Sequence, residues 1–215
     1  PRPGVAVHVN AFNFPAWGML GKAAVSLLAG MPVLSKPATS TSMLAHRIVE
    51  LMAEQKILPE GAFSLLMGPA GDLLDQLGPE DAVAFTGSAY TGQIIRSNPN
   101  IVAKSVPVNV EADSLNAAII GPDVERGSEL FDRVVRDLLT EITQKTGQKC
   151  TATRRILVPS ALLEDLREVL VEGLQDRAKI TGNTEDKNNR MGPLSSAGQL
   201  RDGRRDAAGP SAGEA

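Results

Sequence analysis

Cysteine is almost absent from this sequence: Cys150 is the only one among 215 residues. A single cysteine excludes an intrachain disulfide framework and is consistent with a reducing compartment. No apolar run reaches the length that a membrane-spanning helix needs, and no charged-then-apolar leader of the secretory type is present. We therefore expect a soluble, cytoplasmic protein that makes no contact with a membrane.

An excess of positive charge is also missing, since 22 Lys and Arg residues stand against 25 Asp and Glu residues. A net charge of -3 gives no basic surface for nucleic acid or for an anionic membrane. Histidine is scarce as well. His8 and His46 have no partners at the spacing of metal ligands, so we interpret both as structural and predict no metal site.

Strand patterns alternate with helical patterns along most of the chain. This order predicts βαβ units around a parallel sheet, and the right-handed crossovers that such units prefer predict a doubly wound, Rossmann-like α/β layer. The predicted strands are 5–9, 33–36, 63–67, 82–85, 115–120 and 156–158, with a β-rich run over 102–111. The predicted helices are 17–29, 43–56, 72–77, 90–96, 130–142 and 162–174.

The two ends of the chain differ from the rest. The first residues lead directly into a strand pattern without a methionine, so we expect the sequence to begin inside a longer protein. Residues 201–215 contain no large apolar side chain and cannot contribute to a core, which predicts a disordered or artefactual tail.

Three residues could carry chemistry. Cys150 is the one side chain here that could attack a carbonyl carbon and later leave as a thiolate, although a free cysteine is often simply buried. Glu111 ends the β-rich run, where a lone glutamate is usually a surface residue. Asn13 could form a turn or donate its amide to an oxyanion.

Loops that follow strands are where open α/β sheets bind ligands. Gly87 and Ser88 lie between a strand and a helix, where backbone N–H groups favour phosphate. The spacing of Gly87 and Gly92 does not match the dinucleotide fingerprint, so an ordinary turn explains it equally well. Lys36, at the end of a strand, could contact a phosphate or a ribose, or could be a solvated surface charge.

Taken together, six short segments resemble the aldehyde dehydrogenase superfamily in order and spacing, over residues 4–200. They are Asn13-Phe14-Pro15, Lys36-Pro37-Ala38, Phe85-Thr86-Gly87-Ser88, Glu111, Gly147-Gln148-Lys149-Cys150 and Met191-Gly192-Pro193-Leu194. The resemblance implies a cofactor-binding domain over 1–112 without its N-terminus, and part of an α/β catalytic domain over 113–200. The fold of that family would then be incomplete in this chain.

The resemblance also implies roles for single residues. Cys150 would be the nucleophile, Asn13 an oxyanion donor, and Glu111 the base that activates water. The cofactor would contact Phe12, Lys36, Thr39, Gly87, Ser88 and Ala112. Thr39 occupies the position where NAD-preferring relatives often have a glutamate, so the resemblance implies NADP, with NAD as the alternative.

Finer features point to one branch of the superfamily. The glycine pair that usually follows the catalytic glutamate is replaced here by Ala112-Asp113, a pattern similar to the enzymes that oxidise CoA-linked semialdehydes after aromatic ring cleavage. Two groups within this branch fit, one from benzoyl-CoA oxidation and one from phenylacetate ring opening, and we favour the first. The presence of Glu111 implies hydrolysis to a carboxylate, with CoA as part of the substrate.

Two other interpretations remain. The chain could be an inactive fragment with only a structural or dimerising role, whereas the resemblance implies a full-length homo-oligomer. A thioesterase or cysteine hydrolase would need a histidine base, and neither His8 nor His46 lies near a matching motif, so this class ranks low.

Overall fold

The computed structural model of the chain describes residues 2–189 and 191–207, and it divides into two compact units, Pro1–Asp113 and Ser114–Ala215. The functional domains predicted from the sequence, 1–112 and 113–200, stay predictions. Among the described residues, no helix is both long enough and apolar enough to cross a membrane.

A five-stranded parallel sheet forms the centre of the first unit, in the order β3-β2-β1-β4-β5. The strands are β1 (Ala6–Val9), β2 (Val33–Lys36), β3 (Phe63–Leu65), β4 (Ala82–Gly87) and β5 (Val108–Ala112). The strand order reverses direction between β1 and β4, which confirms the predicted doubly wound parallel sheet.

Helices cover both faces of this sheet. They are α1 (Pro15–Leu28), α2 (Ser42–Glu54), α3 (Ala89–Arg96) and α4 (Pro99–Ala103), with short 3₁₀ turns at Thr39–Thr41 and Leu73–Gln76. Successive strand residues point to opposite faces. Accordingly, Ala6 belongs to a cluster with Ala23 of α1, while Val7 belongs to one with Phe85 and Ile95 of α3.

The second unit pairs a small sheet with two long helices. Its elements are β6 (Asn116–Ile119), α5 (Glu129–Thr143), β7 (Thr153–Leu157), α6 (Leu163–Lys179) and α7 (Ala197–Ala207). Strands β6 and β7 pair in parallel. Ser128 begins α5 by accepting a hydrogen bond from the backbone N–H of Phe131 at 3.1 Å, the usual role of serine at this position. Phe131, Leu138 and Leu166 then pack in the core of the unit.

The β-rich run predicted over 102–111 is wrong in its first half. Pro99–Ala103 is a helix and the strand begins only at Val108. The reason is a local start signal: the Asn98 side chain accepts hydrogen bonds from the N–H groups of Asn100 and Ile101 at 3.0 and 3.1 Å, and Pro99 occupies the first helical turn, where its missing N–H costs nothing.

The predicted disorder from Arg201 onwards is also wrong for residues 201–207, which continue helix α7. The Ser196 hydroxyl accepts a hydrogen bond from the N–H of Gln199 at 3.2 Å and so starts this helix. Alanine, glutamine and arginine favour helix without contributing to a core, so the lack of large apolar residues does not exclude a helix here. Residues 208–215 of the predicted tail lie outside the described residues.

Candidate active site

The carboxyl ends of the strands in the first unit meet at one edge of the sheet. Val9 pairs with Lys36 on one side and with Phe85 on the other, and Thr86 pairs with Glu111. This parallel register brings the predicted site residues of this unit to the same edge, in the strand ends or in the loops that leave them. They are Phe12, Asn13, Lys36, Thr39, Gly87, Ser88, Glu111 and Ala112.

A buried polar network fixes the start of the loop that carries Asn13. Asn10 is buried, and its side-chain amide donates to the Ser35 hydroxyl at 3.0 Å. Its side-chain oxygen accepts a hydrogen bond from Lys22 Nζ at 3.0 Å. Because Pro15 begins α1, the loop that follows Asn10 is short. Asn13 is half-buried and lies three residues after the fixed Asn10 side chain.

Lys22 is a site residue that the sequence analysis missed. Burial lowers the pKa of its ammonium to about 8, and the Glu111 carboxylate opposes this shift. Lys22 is therefore charged near neutral pH but close to releasing a proton. The helical spacing of Met19, Lys22, Ala23 and Ser26 could have revealed it, because a lysine at i+3 from a buried methionine points inwards.

Glu111 presents an exposed carboxylate at the end of β5. The hydroxyl of Thr86, its partner on β4, donates a hydrogen bond to one carboxylate oxygen at 3.3 Å. A carboxylate can accept several hydrogen bonds, so this contact orients the group and leaves acceptor capacity for a water molecule. The arrangement suits a general base.

Gly87 and Ser88 form the turn between β4 and α3. A Cβ on Gly87 would lie 2.5 Å from the Phe85 ring, so the ring would have to shift for any other residue. The Ser88 hydroxyl accepts from the N–H of Thr91 at 3.2 Å, and an Asp113 carboxylate oxygen accepts from the N–H of Ala89 at 3.1 Å. A carboxylate thus already occupies part of the helix terminus, and a phosphate there would have to compete with Asp113.

Lys36 and Thr39 offer a different donor set after β2. Lys36 Nζ donates to the carbonyl of Pro37 at 3.3 Å, and burial lowers the pKa of this ammonium. Thr39 begins a 3₁₀ turn and is exposed. A half-buried ammonium together with an exposed neutral hydroxyl fits ribose hydroxyls and phosphate oxygens. The residues present therefore suit the adenosine side of a dinucleotide.

Cys150 lies in the second unit, in the loop between α5 and β7, and its side chain is half-buried. Earlier in the same loop, three consecutive residues have positive φ values of 54°, 59° and 69°: Lys145, Thr146 and Gly147. Such values are unfavourable for residues other than glycine and persist only when the surroundings enforce them. Here the Thr146 hydroxyl donates to the carbonyl of Gly192 at 2.6 Å.

The buried side chain of Lys149 also holds this loop in place. Its ammonium is buried and donates to Glu141 Oε2 at 2.7 Å and to Gln144 Oε1 at 2.6 Å. Burial and the Lys149 charge lower the pKa of the neighbouring Lys145, while its interaction with Cys150 raises it. The thiol therefore lies near the charge of Lys145, on a loop that both side chains and backbone constrain.

The comparison with known families decides the class of protein. The model of the aldehyde dehydrogenase family matches residues 1–205. The chain belongs to this family. The resemblance inferred from the six segments is thereby confirmed, and the fold class is confirmed with it.

Two curated relatives in the family act on semialdehydes by name. The chain is 51% identical over 199 residues to 3,4-dehydroadipyl-CoA semialdehyde dehydrogenase of Aromatoleum evansii, covering 93% of this chain and 38% of that protein. It is 32% identical to alpha-ketoglutaric semialdehyde dehydrogenase of Bacillus subtilis, covering 92% and 39%. The chain thus spans about two fifths of the length of these relatives.

Solved structures agree with the fold. The betaine aldehyde dehydrogenase of Staphylococcus aureus, solved in complex with NAD+, matches with a TM-score of 0.81 at 28% identity. The match covers 96% of this chain and 41% of that one. The roles of the individual site residues stay predictions.

Proposed function

We propose that the protein containing this chain oxidises an aldehyde to a carboxylate with NADP, using Cys150 as nucleophile. The observation that carries the proposal is the Cys150 loop itself. In a chain of this family, the only thiol of the sequence lies half-buried on a strained loop that the buried Lys149 ammonium anchors through Glu141. Backbone strain of this kind clusters at active sites.

In the first step, the Cys150 thiolate forms a bond to the aldehyde carbon and the carbonyl π electrons move to oxygen. The Asn13 side-chain amide and the Cys150 backbone N–H would donate hydrogen bonds to this oxyanion, each contributing about 3 kcal/mol. The short loop between β1 and α1, fixed by Asn10, limits the motion of Asn13 and supports this role.

Lys36, Thr39 and Ser88 would bind the cofactor, which, when bound, supplies the acceptor for the hydride that leaves the substrate carbon. The acyl group then remains on Cys150 as a thioester. Glu111 would remove a proton from water, the water oxygen would bond to the acyl carbon, and the carbon–sulfur bond would break to regenerate the thiolate.

Replacing Cys150 by alanine in the intact protein tests the proposal. We expect aldehyde-dependent NADPH formation to fall by at least about 10³-fold, because the covalent step is lost, while binding of NADP stays within about twofold. Persistent turnover without the thiol would overturn the proposal. An intact wild-type protein that binds NADP but reduces none with any semialdehyde would instead favour the alternative, a structural role alone.

Thr39 supports a preference for NADP over NAD, because its neutral hydroxyl can donate to a 2′-phosphate that a glutamate would repel. We expect Thr39→Glu to lower kcat/KM for NADP on the order of tenfold to a hundredfold and to raise the value for NAD. Ser40→Glu, the next residue on the same turn and exposed like Thr39, is the matched control and should leave the ratio unchanged. A wild-type protein that strongly prefers NAD would contradict the assignment.

The substrate class we propose is a CoA-linked semialdehyde. The support is the 51% identity to the Aromatoleum evansii protein, whose name specifies such a substrate. Comparing kcat/KM for a six-carbon CoA-linked semialdehyde and for the corresponding free semialdehyde tests this. We expect kcat/KM for the CoA-linked form to be higher by at least about tenfold.

We further propose that the intact protein is a cytoplasmic homo-oligomer. Gel filtration with light scattering of the intact protein would test the oligomeric state.

A further inference from the structure

The backbone on the C-terminal side of Cys150 is fixed by two side chains from another part of the second unit. The Ser114 hydroxyl and the Asn116 amide both donate to the carbonyl of Cys150. The same amide nitrogen donates to the carbonyl of Ala152 at 3.2 Å. One asparagine therefore binds the two carbonyls on either side of Thr151.

The backbone on the N-terminal side of Cys150 is fixed as well. The Lys149 carbonyl, which shares a peptide plane with the Cys150 N–H, accepts from the N–H of Ala152 at 3.2 Å. Both peptide planes that flank Cys150 thus have fixed orientations. Together they set the direction of its Cα–Cβ bond and of its N–H.

A local irregularity in the small sheet puts Asn116 in this place. Asn116 begins β6 and pairs with Thr153 of β7, but the next residue, Ala117, pairs with Arg155, so one residue of β7 is skipped. A bulge of this kind redirects a side chain relative to a regular ladder. Asn116 is half-buried, lies only five residues after Glu111, and is contributed by the stretch in which the usual glycine pair is replaced.

We infer that Asn116 is a positioning residue for the Cys150 nucleophile, acting through the Cys150 and Ala152 carbonyls, with Ser114 as a second donor. The inference rests on the proposed function of Cys150. A thiol and an oxyanion donor that share one residue must both be oriented before the substrate arrives, because preorganised donors need no rearrangement in the transition state. The amide of Asn116 provides this orientation without contacting substrate.

The test compares the wild type with two variants of the intact protein by the rate of the first NADPH turnover, which reports acylation of Cys150. Asn116→Asp has the shape of asparagine but only acceptor oxygens, which the two carbonyls repel. Asn116→Ser retains one donor. We expect the wild type to be fastest, serine intermediate, and aspartate slowest by on the order of tenfold to a hundredfold, with the Kd for NADP within about twofold.

A merely structural role would lower the melting temperature of both variants but leave the first turnover per folded molecule at the wild-type rate. Equal rates per folded molecule in all three proteins, or a faster first turnover with aspartate than with serine, would overturn the inference. Should Asn116→Asp fail to fold, Ser114→Ala and Asn116→Ser decide: each should slow the first turnover, and unchanged rates in both would overturn the inference.

Asn100→Asp is the matched control for the chemical change. Asn100 also uses one amide to bind two carbonyls, those of Leu74 and Leu77 at 2.8 and 2.9 Å, but in the first unit. Its variant should lower the melting temperature comparably and leave the acylation rate per folded molecule unchanged. The two hypotheses fail separately: active Cys150→Ala would refute the proposed function, whereas inactive Cys150→Ala with wild-type rates for Asn116→Asp would refute only the positioning role.

Discussion

The two units of this chain position their site residues by different means. In the first unit, Glu111 and Lys36 are placed by the ends of parallel strands, and the register of the sheet alone brings them to one edge. In the second unit, Cys150 lies on an irregular loop that depends on side chains bound to backbone carbonyls and on the buried ion pair of Lys149.

The difference has consequences for robustness. A sheet edge is stabilised by many backbone hydrogen bonds and by the core beneath it, so the loss of one side chain leaves its geometry in place. A strained loop is held in its conformation by a few specific contacts, so the loss of any one of them allows the loop to move. We therefore expect substitutions around Cys150 to disturb site geometry more than equally conservative substitutions at the strand ends.

We expect the largest loss of stability around the Cys150 loop when Glu141 is substituted. Glu141→Gln leaves the buried Lys149 ammonium without its carboxylate partner, which we expect to cost about 2 kcal/mol because Glu141 itself is partly exposed. Hydrogen exchange should accelerate in residues 144–152. The matched control is Glu164→Gln, whose ion pair with Arg167 is exposed on both sides and should cost close to nothing. Equal exchange rates in the two variants would contradict the dependence of the loop on this ion pair.

A pH effect of about 2 kcal/mol is expected in the first unit. Burial first, and then the Lys22 charge, lower the pKa of His8 from 6.5 to about 4. Between these values the unfolded chain binds more protons than the folded one. The contribution of neutral His8 to the free energy of unfolding is therefore fully present above pH 6.5 and is lost as the pH decreases towards 4. Chemical denaturation at pH 7.5 and pH 5 measures this loss.

The His8→Gln variant should show much less of this acid-dependent loss, while His46→Gln, on an exposed part of α2, should retain it. If His8→Gln and the wild type lose the same stability between the two pH values, the buried imidazole is not the cause.

The smallest effect concerns the strand-end turn. Gly87→Ala would place a Cβ 2.5 Å from the Phe85 ring, and we expect it to destabilise the protein by about 1 to 2 kcal/mol through overpacking. Gly21→Ala, in the middle of α1 with nothing within 4 Å of the new Cβ, should instead stabilise by about 0.5 to 1 kcal/mol through helix propensity. Thermal unfolding of both variants gives the comparison, and a neutral Gly87→Ala would show that the turn can relax.

The sequence predicted the first unit better than the second. Alternating strand and helix patterns were enough for the parallel sheet, and the rule that ligands bind at strand ends led to the loops at Lys36 and Gly87. The role predicted for Glu111 came only from the family resemblance. Helix α4 was mistaken for strand because the capping signal of Asn98 and Pro99 is local and outweighs the β-branched residues that follow.

The surroundings of Cys150 could not be predicted in this way. The hydrogen bonds from Ser114 and Asn116 join positions more than thirty residues apart in sequence, and no periodic pattern encodes them. Lys22 was missed for a related reason: a lysine in an apolar helix is expected at the surface, and only packing against the sheet reveals its burial.

The central claim is that a thioester forms on Cys150 and that Glu111 is needed to hydrolyse it. The most direct measurement is mass spectrometry of the intact Glu111→Gln protein after mixing with aldehyde and NADP. We predict one burst of NADPH per active site and an acyl adduct on the peptide that contains Cys150, with steady-state turnover lower on the order of 10²-fold to 10⁴-fold. Full turnover with no adduct on that peptide would contradict the account.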